Sequence, residues 1–205
     1  RTFADEVVGL KSEDYLYFSS YTHHPFYEDF IMEVPDNWAW GKSYNVSMDD
    51  LVDVTIAALK NGYTIAWGAD VSEKGFSFKN GLAIVPADPA MIEVIGKDDK
   101  RFNDAGAERK SNAFMEPMKE LTITPELRQK GYDNKTTTDD HGMHIVGIFT
   151  DQNGTRYFLV KNSWGTSNMP KGYLYVSESY FKYKTINIYL HKEGIPQSVK
   201  TKLKF

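Results

Sequence analysis

The sequence predicts an α+β fold in which an antiparallel, barrel-like sheet carries a few helices. Three observations indicate this fold: short segments of alternating or β-branched residues recur along the chain, one long segment has helical periodicity, and turn residues separate them. The 205 residues are 41% apolar and 14% aromatic, which is enough for a packed core. We expect one large domain at residues 1–192 and a C-terminal arm at residues 193–205.

The first half of the chain contains two predicted strands on either side of one predicted helix. Residues 15–21 alternate aromatic with other side chains, as a half-buried strand does. Ser47 is a good N-cap with an acid, Asp50, three residues later, and apolar residues then recur at helical spacing up to residues 61–62, Asn-Gly. Residues 63–68 are predicted to form the second strand.

Residues 86–138 are mostly polar and rich in proline, so we expect them to form an insertion. A helix is predicted to begin near Thr124 and Pro125, because proline suits the first turn of a helix. After the insertion and a hairpin, residues 173–176 and 185–190 are predicted to form two further strands.

The most informative segment is the predicted β-hairpin. Residues 145–150 and 155–161 are rich in β-branched and aromatic types, and the four residues between them contain Asn-Gly, a strong turn signal. If residue 150 pairs with residue 155, His141 lies opposite Trp164. Asn162 is then its diagonal neighbour, with the backbones about 7 to 8 Å apart and the side chains within reach.

This arrangement can prepare an imidazole for acid–base chemistry. An amide carbonyl that binds one ring nitrogen fixes which nitrogen carries the proton, and an indole above the bond keeps water from competing for it. The free nitrogen can then act as a general base. Such a base and its orienting group are two of the three catalytic groups of a cysteine peptidase.

Two motifs carry a resemblance to a known family. Asp-His-Gly-Met at residues 140–143 is followed about twenty residues later by Lys-Asn-Ser-Trp-Gly at residues 161–165, and then by Gly-Tyr at residues 172–173. This pattern resembles the papain-like cysteine peptidases. The small residue between His and Met, the lack of a second Trp-Gly after Gly165 and the long tail are similar to the bleomycin hydrolase and aminopeptidase C branch.

The resemblance implies a role for each residue of the hairpin. His141 would be the general base and acid, Asn162 would orient it, and Trp164 would be the lid over their hydrogen bond. The fold would be the right-hand domain of the papain-like fold, incomplete without a helical N-terminal domain. The active-site cleft of the family runs between these two domains.

The nucleophile of that family is a cysteine on an N-terminal helix, and this sequence contains no cysteine. The sequence also starts with neither an initiator Met nor a signal peptide. We therefore expect the chain to be the C-terminal half of a longer protein, whose Cys-bearing N-terminal segment is its first partner. On this interpretation the chain alone is inactive.

The predicted function is therefore that of the C-terminal part of a cysteine aminopeptidase, which hydrolyses peptide bonds at substrate N-termini. Two alternatives from other classes remain. The chain could belong to a non-catalytic peptide-binding homologue that lacks the cysteine, or it could be a free-standing structural or inhibitory fragment. The second alternative predicts a stable monomer, which an exposed apolar cleft face disfavours.

Five further residues are candidates for substrate binding. Trp67 and Asp70 occupy the place where the family lines its second substrate pocket, although Trp67 as a core residue and Asp70 as a turn residue explain the pattern equally well. Asp140 and Gly142 flank the base and are expected to border the pocket. In the branch named above, the C-terminal arm lies in the cleft, so the carboxylate of Phe205 is predicted to pair with a substrate ammonium.

Acids and histidines near the base do not form a convincing metal site. Asp139, Asp140, His141 and His144 include an His-x-x-His pattern, but side chains alternate along a strand, so residues 141 and 144 face opposite ways. The segment His-His-Pro at residues 23–25 is interpreted as structural. We expect no metal and no organic cofactor.

Charge and hydropathy limit the remaining partners. A net charge of −4 argues against a nucleic-acid surface, and no apolar run approaches the roughly 20 residues that span a bilayer. Branch members form hexamers with inward-facing active sites, so a homo-hexamer is expected by resemblance. The same resemblance implies a cytoplasmic location. Export stays an alternative, because the expected N-terminal segment is not part of this sequence.

Overall fold

This computed structural model describes residues 2–95, 108–110 and 112–205. These residues form twelve strands and five α-helices. The strands are β1 (Tyr15–Ser19), β2 (Asp29–Ile31), β3 (Lys42–Asn45), β4 (Ile65–Ala69), β5 (Phe76–Ser77), β6 (Leu82–Ala83), β7 (Glu93–Ile95), β8 (Glu108–Lys110), β9 (His141–Thr150), β10 (Arg156–Lys161), β11 (Tyr173–Ser177) and β12 (Thr185–His191). The helices are α1 (Met48–Lys60), α2 (Asn112–Met115), α3 (Pro125–Asp133), α4 (Glu178–Lys184) and α5 (Gln197–Leu203).

Ten of these strands form one large sheet. Their order is β2-β3-β1-β12-β4-β9-β10-β11-β6-β5, and its pairs are antiparallel except β1 with β3 and β11 with β6. Among the described residues no pairing joins β2 to β5, so the sheet stays open. The predicted α+β fold with a large, mainly antiparallel sheet is confirmed. β7 and β8 form a separate two-stranded ribbon, and residues 96–107 and 111 of the predicted insertion lie outside the described residues.

Helix α1 begins and ends where the sequence predicts. The hydroxyl of Ser47 accepts a hydrogen bond from the backbone N–H of Asp50 at 3.2 Å, which satisfies one of the free donors of the first turn. The helix ends at Lys60, and Asn61 follows as its C-cap. In the described part of the chain, no helix combines the length and the apolar character that a membrane crossing requires.

The core lies between the central strands and three of the helices. Fully buried apolar side chains come from α1, α4 and the middle of the sheet, and each stabilises the fold by about 1.5–3 kcal/mol relative to an exposed position. These side chains include Leu51, Val54, Phe181, Phe18, Ile65, Ile145, Phe158 and Ile188.

The predicted C-terminal arm is largely helical. Val199 and Leu203 of α5 face the same core as α1, since both are buried. Lys202 extends from α5 to both carboxylate oxygens of Asp50 at 2.8 Å. Burial alone would raise the pKa of Asp50, but hydrogen bonds from Lys202, Tyr27 and Ser47 hold it below its usual value. The tail is therefore tied to α1.

The β9–β10 hairpin has a register that changes along its length. Thr150 pairs with Arg156, one residue further than predicted, because the loop spans five residues instead of four. The carboxylate of Asp151 accepts hydrogen bonds from the N–H groups of Asn153 and Thr155, both at 2.8 Å, and this cap closes the longer loop.

A bulge between Leu159 and Val160 then shifts the pairing by one residue. Beyond it Ile145 pairs with Val160, which is the register that the sequence analysis assumed. The prediction was therefore wrong beside the turn and right beside the base.

Candidate active site

His141 and Asn162 meet at the open end of the β9–β10 hairpin. His141 is the first residue of β9, and Asn162 follows the last residue of β10. The distance from His141 Nε2 to Asn162 Oδ1 is 2.8 Å. The backbone N–H of Asn162 donates to the carbonyl of Gly172 at 2.9 Å, which fixes the position of the residue.

The orientation of the Asn162 amide determines the tautomer of His141. Oδ1 also accepts a hydrogen bond from the backbone N–H of Ser163 at 2.7 Å, so the oxygen must occupy this position. His141 Nε2 therefore carries a proton and donates it, which leaves the lone pair on Nδ1. Asn162 Nδ2 is buried without a hydrogen-bond partner, at a cost of about 1–3 kcal/mol. That cost indicates that the amide is positioned for His141.

Trp164 covers the pair. Its ring centroid lies 4.8 Å from that of His141, with 35° between the planes. Two aromatic residues from the β5 region, Phe76 and Phe78, contact the indole edge to face at 5.8 and 5.5 Å. The indole is thereby held in place, and its half-buried position limits the access of water to the hydrogen bond below it.

A cavity of about 460 Å³ opens beside His141, a size within the range of ligand pockets. Asp36, Asp139 and Asp140 line one part of it. Burial is the main cause that raises the pKa of Asp139 to about 6, and the carboxylates of Asp36 and Asp140 raise it further. Burial also raises the pKa of Asp140, although the N–H of Val71 donates to its carboxylate at 2.9 Å.

Asp140 and Gly142 line this cavity, as a role in substrate binding would require. Gly142 is exposed, and a Cβ atom there would meet nothing within 4 Å. Sequence reasoning missed Asp36 and treated Asp139 only as a potential metal ligand. The acidic pair at residues 139–140 next to the base was the available signal for Asp139, whereas Asp36 comes from a distant turn.

Trp67 and Asp70 point into the protein and not toward a substrate. Each is 1% exposed. The indole N–H of Trp67 donates to the hydroxyl of Thr185 at 2.8 Å, and a carboxylate oxygen of Asp70 lies 3.4 Å from the buried ammonium of Lys184. Trp67 borders the cavity, but its indole has no free surface for a ligand. Their burial favours the alternative interpretation, in which both residues are structural.

The structure does not bring Phe205 to the dyad. Its ring contacts Tyr44 of β3 edge to face at 5.0 Å. Tyr44 is linked to Met143 of β9 by successive strand pairs across β1, β12 and β4. Met143 lies two residues from His141 in the sequence. Four strand spacings amount to about 19 Å along the sheet. In this structure the tail folds as α5 and packs beside α1, and a role of Phe205 at the cleft stays a prediction.

His144 behaves as strand alternation predicts. It is exposed and pairs with Lys161, whereas Met143 and Ile145 on either side are buried. Within the described residues, no group of metal-ligating side chains includes His141 or His144.

Comparisons with known proteins agree with this geometry. Residues 122–205 match the Peptidase C1-like family. Aminopeptidase G of Lactobacillus delbrueckii subsp. lactis is 22% identical over 94% of this chain and 38% of its own length. Aminopeptidase C of Streptococcus thermophilus is 24% identical over 94% of this chain and 39% of its own length. The chain thus spans about two fifths of the length of these curated relatives.

A solved structure shows the same fold. The crystal structure of PepW from Lactobacillus rhamnosis HN001 aligns with 99% of this chain and 41% of its own chain, with a TM-score of 0.66 at 22% identity. Over the part of their length that it spans, the chain is similar to papain-like cysteine peptidases of the bleomycin hydrolase and aminopeptidase C branch, the resemblance that its two motifs predicted.

Proposed function

We propose that this chain is the part of a cysteine aminopeptidase that supplies the general base and its orienting group. The observation that carries the proposal is the 2.8 Å hydrogen bond between His141 Nε2 and Asn162 Oδ1 beneath Trp164. The chain has no cysteine, so the nucleophilic thiol would come from a segment outside these 205 residues.

The tautomer of His141 determines the path of the proton in the proposed reaction. His141 Nδ1 takes the proton of the thiol, and the resulting thiolate and imidazolium form a pair. The thiolate attacks the peptide carbonyl, and His141 gives the proton to the departing amine. Water then hydrolyses the thioester, with Nδ1 again as the base. Asn162 stabilises the imidazolium throughout, because Nε2–H donates to its carbonyl oxygen.

The acidic cavity supports cleavage at the substrate N-terminus. A peptide whose first carbonyl lies beside His141 places its α-ammonium a few ångströms away, where Asp36, Asp139 and Asp140 line the wall. Carboxylates there attract an ammonium, whereas a chain that continues with a neutral amide would desolvate them without supplying a counter-charge. These acids take the role that the sequence analysis gave to the carboxylate of Phe205.

Exposed aromatic side chains support a partner segment. Trp38 is 84% exposed and Trp40 is 72% exposed in the loop before β3. Large apolar side chains at a surface commonly mark a contact with another polypeptide. A Cys-bearing segment of the same protein is the partner that the proposed chemistry requires, and the homo-hexamer implied by the family resemblance would add a second contact surface.

The test compares two substrates with the complete protein. An aminoacyl amide with a free α-amino group and its N-acetylated form differ in the ammonium charge and in the added acetyl group. We expect rapid hydrolysis of the first, at least 10-fold slower hydrolysis of the second, near-complete loss of both in His141→Ala and a smaller fall of both in Asn162→Ala. His144→Ala is the matched control, since this exposed histidine lies on the same strand. Peptide binding without hydrolysis would instead establish the non-catalytic homologue.

A further inference from the structure

Two histidines and a glutamate lie together outside the candidate active site. His23 and His24 are in the turn after β1, and Glu33 follows β2. One ligand atom from each residue lies within 4.8 Å of the other two. His23 Nε2 is 3.5 Å from one carboxylate oxygen of Glu33, and His24 Nε2 is 3.4 Å from the other.

These distances fit a shared ion better than a direct hydrogen bond. N–H···O bonds in proteins are normally about 2.7–3.2 Å long. When a zinc ion binds four ligands tetrahedrally at about 2.0–2.1 Å, neighbouring ligand atoms lie roughly 3.3–3.5 Å apart. The distance from His23 Nε2 to Oε2 of Glu33 is 3.5 Å and that from His24 Nε2 to Oε1 is 3.4 Å, so each histidine lies at that separation from one of the two carboxylate oxygens.

His24 provides a second observation. Its Nε2 atom is buried and makes no hydrogen bond, although it lies 3.4 Å from a carboxylate oxygen of Glu33. A buried polar atom without a partner costs about 1–3 kcal/mol. A metal ion between the two rings and the carboxylate would satisfy this nitrogen.

His23 contacts an amide side chain through Nδ1, as metal-binding histidines often do. Nδ1 lies 3.2 Å from Oε1 and 3.0 Å from Nε2 of Gln129, so the ring can donate to the amide oxygen or accept from the amide nitrogen. The oxygen and nitrogen of the Gln129 amide cannot exchange places, because the oxygen accepts from the N–H of Thr22 and the nitrogen donates to Asp133, both at 2.7 Å. When Nδ1–H donates to Gln129, the lone pair of His23 is on Nε2 and faces Glu33.

Packing holds the remaining parts of the site. The ring of His23 stacks on Tyr132 at 5.3 Å, and the ring of His24 lies 4.6 Å from Phe30. The hydroxyl of Tyr132 donates to the backbone carbonyl of Glu33 at 3.1 Å. The two imidazole rings and the backbone of Glu33 are therefore positioned by their neighbours before any ion binds, which lowers the entropy cost of binding. The side chain of Glu33 is 60% exposed and is the ligand that must be ordered on binding.

We propose that His23, His24 and Glu33 bind a divalent transition-metal ion of the zinc type, with water as the fourth ligand. Two imidazole nitrogens and a carboxylate are ligands that suit zinc. The ion would link the turn after β1 to the segment after β2 and, through Gln129, to α3. This site goes beyond the proposed function and does not depend on it.

The test measures binding of Zn²⁺ alone to the complete, chelator-treated protein by calorimetry. We expect a site in the wild type that is lost in His24→Ala and in Glu33→Gln. His144→Ala, which removes an exposed histidine elsewhere, is the matched control and should keep it. Zn²⁺ should also raise the unfolding temperature of the wild type and the control but of neither site variant.

A positioning role for Gln129 makes the test sharper. Gln129→Leu should weaken Zn²⁺ binding by about 10- to 100-fold, the usual effect of losing a partner of a metal-binding histidine. The proposal is overturned if the wild type binds no Zn²⁺, or if Glu33→Gln binds it as tightly as the wild type. Unfolding temperatures in the presence of chelator show whether any variant has lost its fold instead.

Discussion

His141 and His23 are both held by an amide side chain, yet they face different surroundings. Asn162 fixes Nε2 of His141 and Gln129 contacts Nδ1 of His23, at 2.8 and 3.2 Å respectively. The free nitrogen of His141 belongs to a ring covered by Trp164 beside an open cavity. The other nitrogen of His23 faces Glu33, with His24 beside it. On the two proposals above, the same device would prepare a base at one place and a metal ligand at the other.

The comparison shows that orientation alone does not define the chemistry. An oriented imidazole needs a proton donor and room for a substrate before it can act as a base. Next to a carboxylate and a second imidazole it becomes one of several ligands. The predictions below test each side of this contrast, beginning with the largest effect.

Replacing the base should have the largest effect. His141→Ala removes the acceptor of the thiol proton, and kcat/KM for an aminoacyl amide should fall by roughly 10⁴-fold. Steady-state kinetics on the complete protein measure it, with His144→Ala as the control. A variant that keeps a tenth of the wild-type rate would show that His141 is not the base.

Replacing the orienting amide should have a smaller effect on the same step. Asn162→Ala removes the acceptor of Nε2–H, so kcat should fall by about 10²-fold while KM changes little. The same variant should leave Zn²⁺ affinity unchanged, because the two histidine sites share no residue. If Asn162→Ala lowered both equally, the two sites would not be independent.

Asp139→Asn should weaken substrate binding and stabilise the fold. Loss of one carboxylate should raise KM for a free N-terminus by about 10-fold, equivalent to roughly 1.4 kcal/mol, and leave the N-acetylated substrate unaffected. A KM that rises equally for both substrates would argue against recognition of the ammonium.

The stability effect follows from the raised pKa. Burial raises the pKa of Asp139 to about 6 from 3.8, so the folded protein holds this proton more tightly than the unfolded chain does. The contribution of Asp139 to the free energy of unfolding therefore falls as the pH rises from about 4 to about 6. Asp139→Asn does not lose stability in this way, so above pH 6 its free energy of unfolding should exceed that of the wild type. Below about pH 4 the two free energies should be equal. Denaturant unfolding at pH 4 and pH 7.5 checks this.

The smallest effect is expected at Phe205. Because its ring packs on Tyr44, far along the sheet from His141, Phe205→Ala should leave the preference for a free N-terminus unchanged. Stability should fall by about 1 kcal/mol or less, since the ring is half exposed. A shift toward internal cleavage would restore the original prediction for this residue.

The sequence predicted the dyad because its parts are local. His141, Asn162 and Trp164 belong to one hairpin, and the pattern of strands and turn was enough to place them opposite one another. The loop capped by Asp151 is one residue longer than predicted, and the bulge in β9 corrects the register before the base. Neither feature follows from the alternation of side chains along a strand. The predicted pairing register near His141 is correct because the longer loop and the bulge shift the register by one residue in opposite directions.

Contacts between distant segments account for what the sequence left open. Trp67 and Asp70 are buried by Thr185 and Lys184, more than a hundred residues later in the chain. The triad of His23, His24 and Glu33 depends on Gln129 in the same way. The tail was different, because Val199 and Leu203 have the spacing of one helix face, and that signal could have predicted α5.

The account depends most directly on His141 as the partner of a reactive thiol. The decisive measurement is the rate of alkylation of the complete protein by iodoacetamide as a function of pH, for the wild type and for His141→Ala. We expect the wild-type thiol to react rapidly already at pH 5–6, and the variant only as the pH approaches about 8.5, the pKa of an ordinary cysteine. A profile that is the same in both proteins, or a wild type with no reactive thiol, would contradict the account.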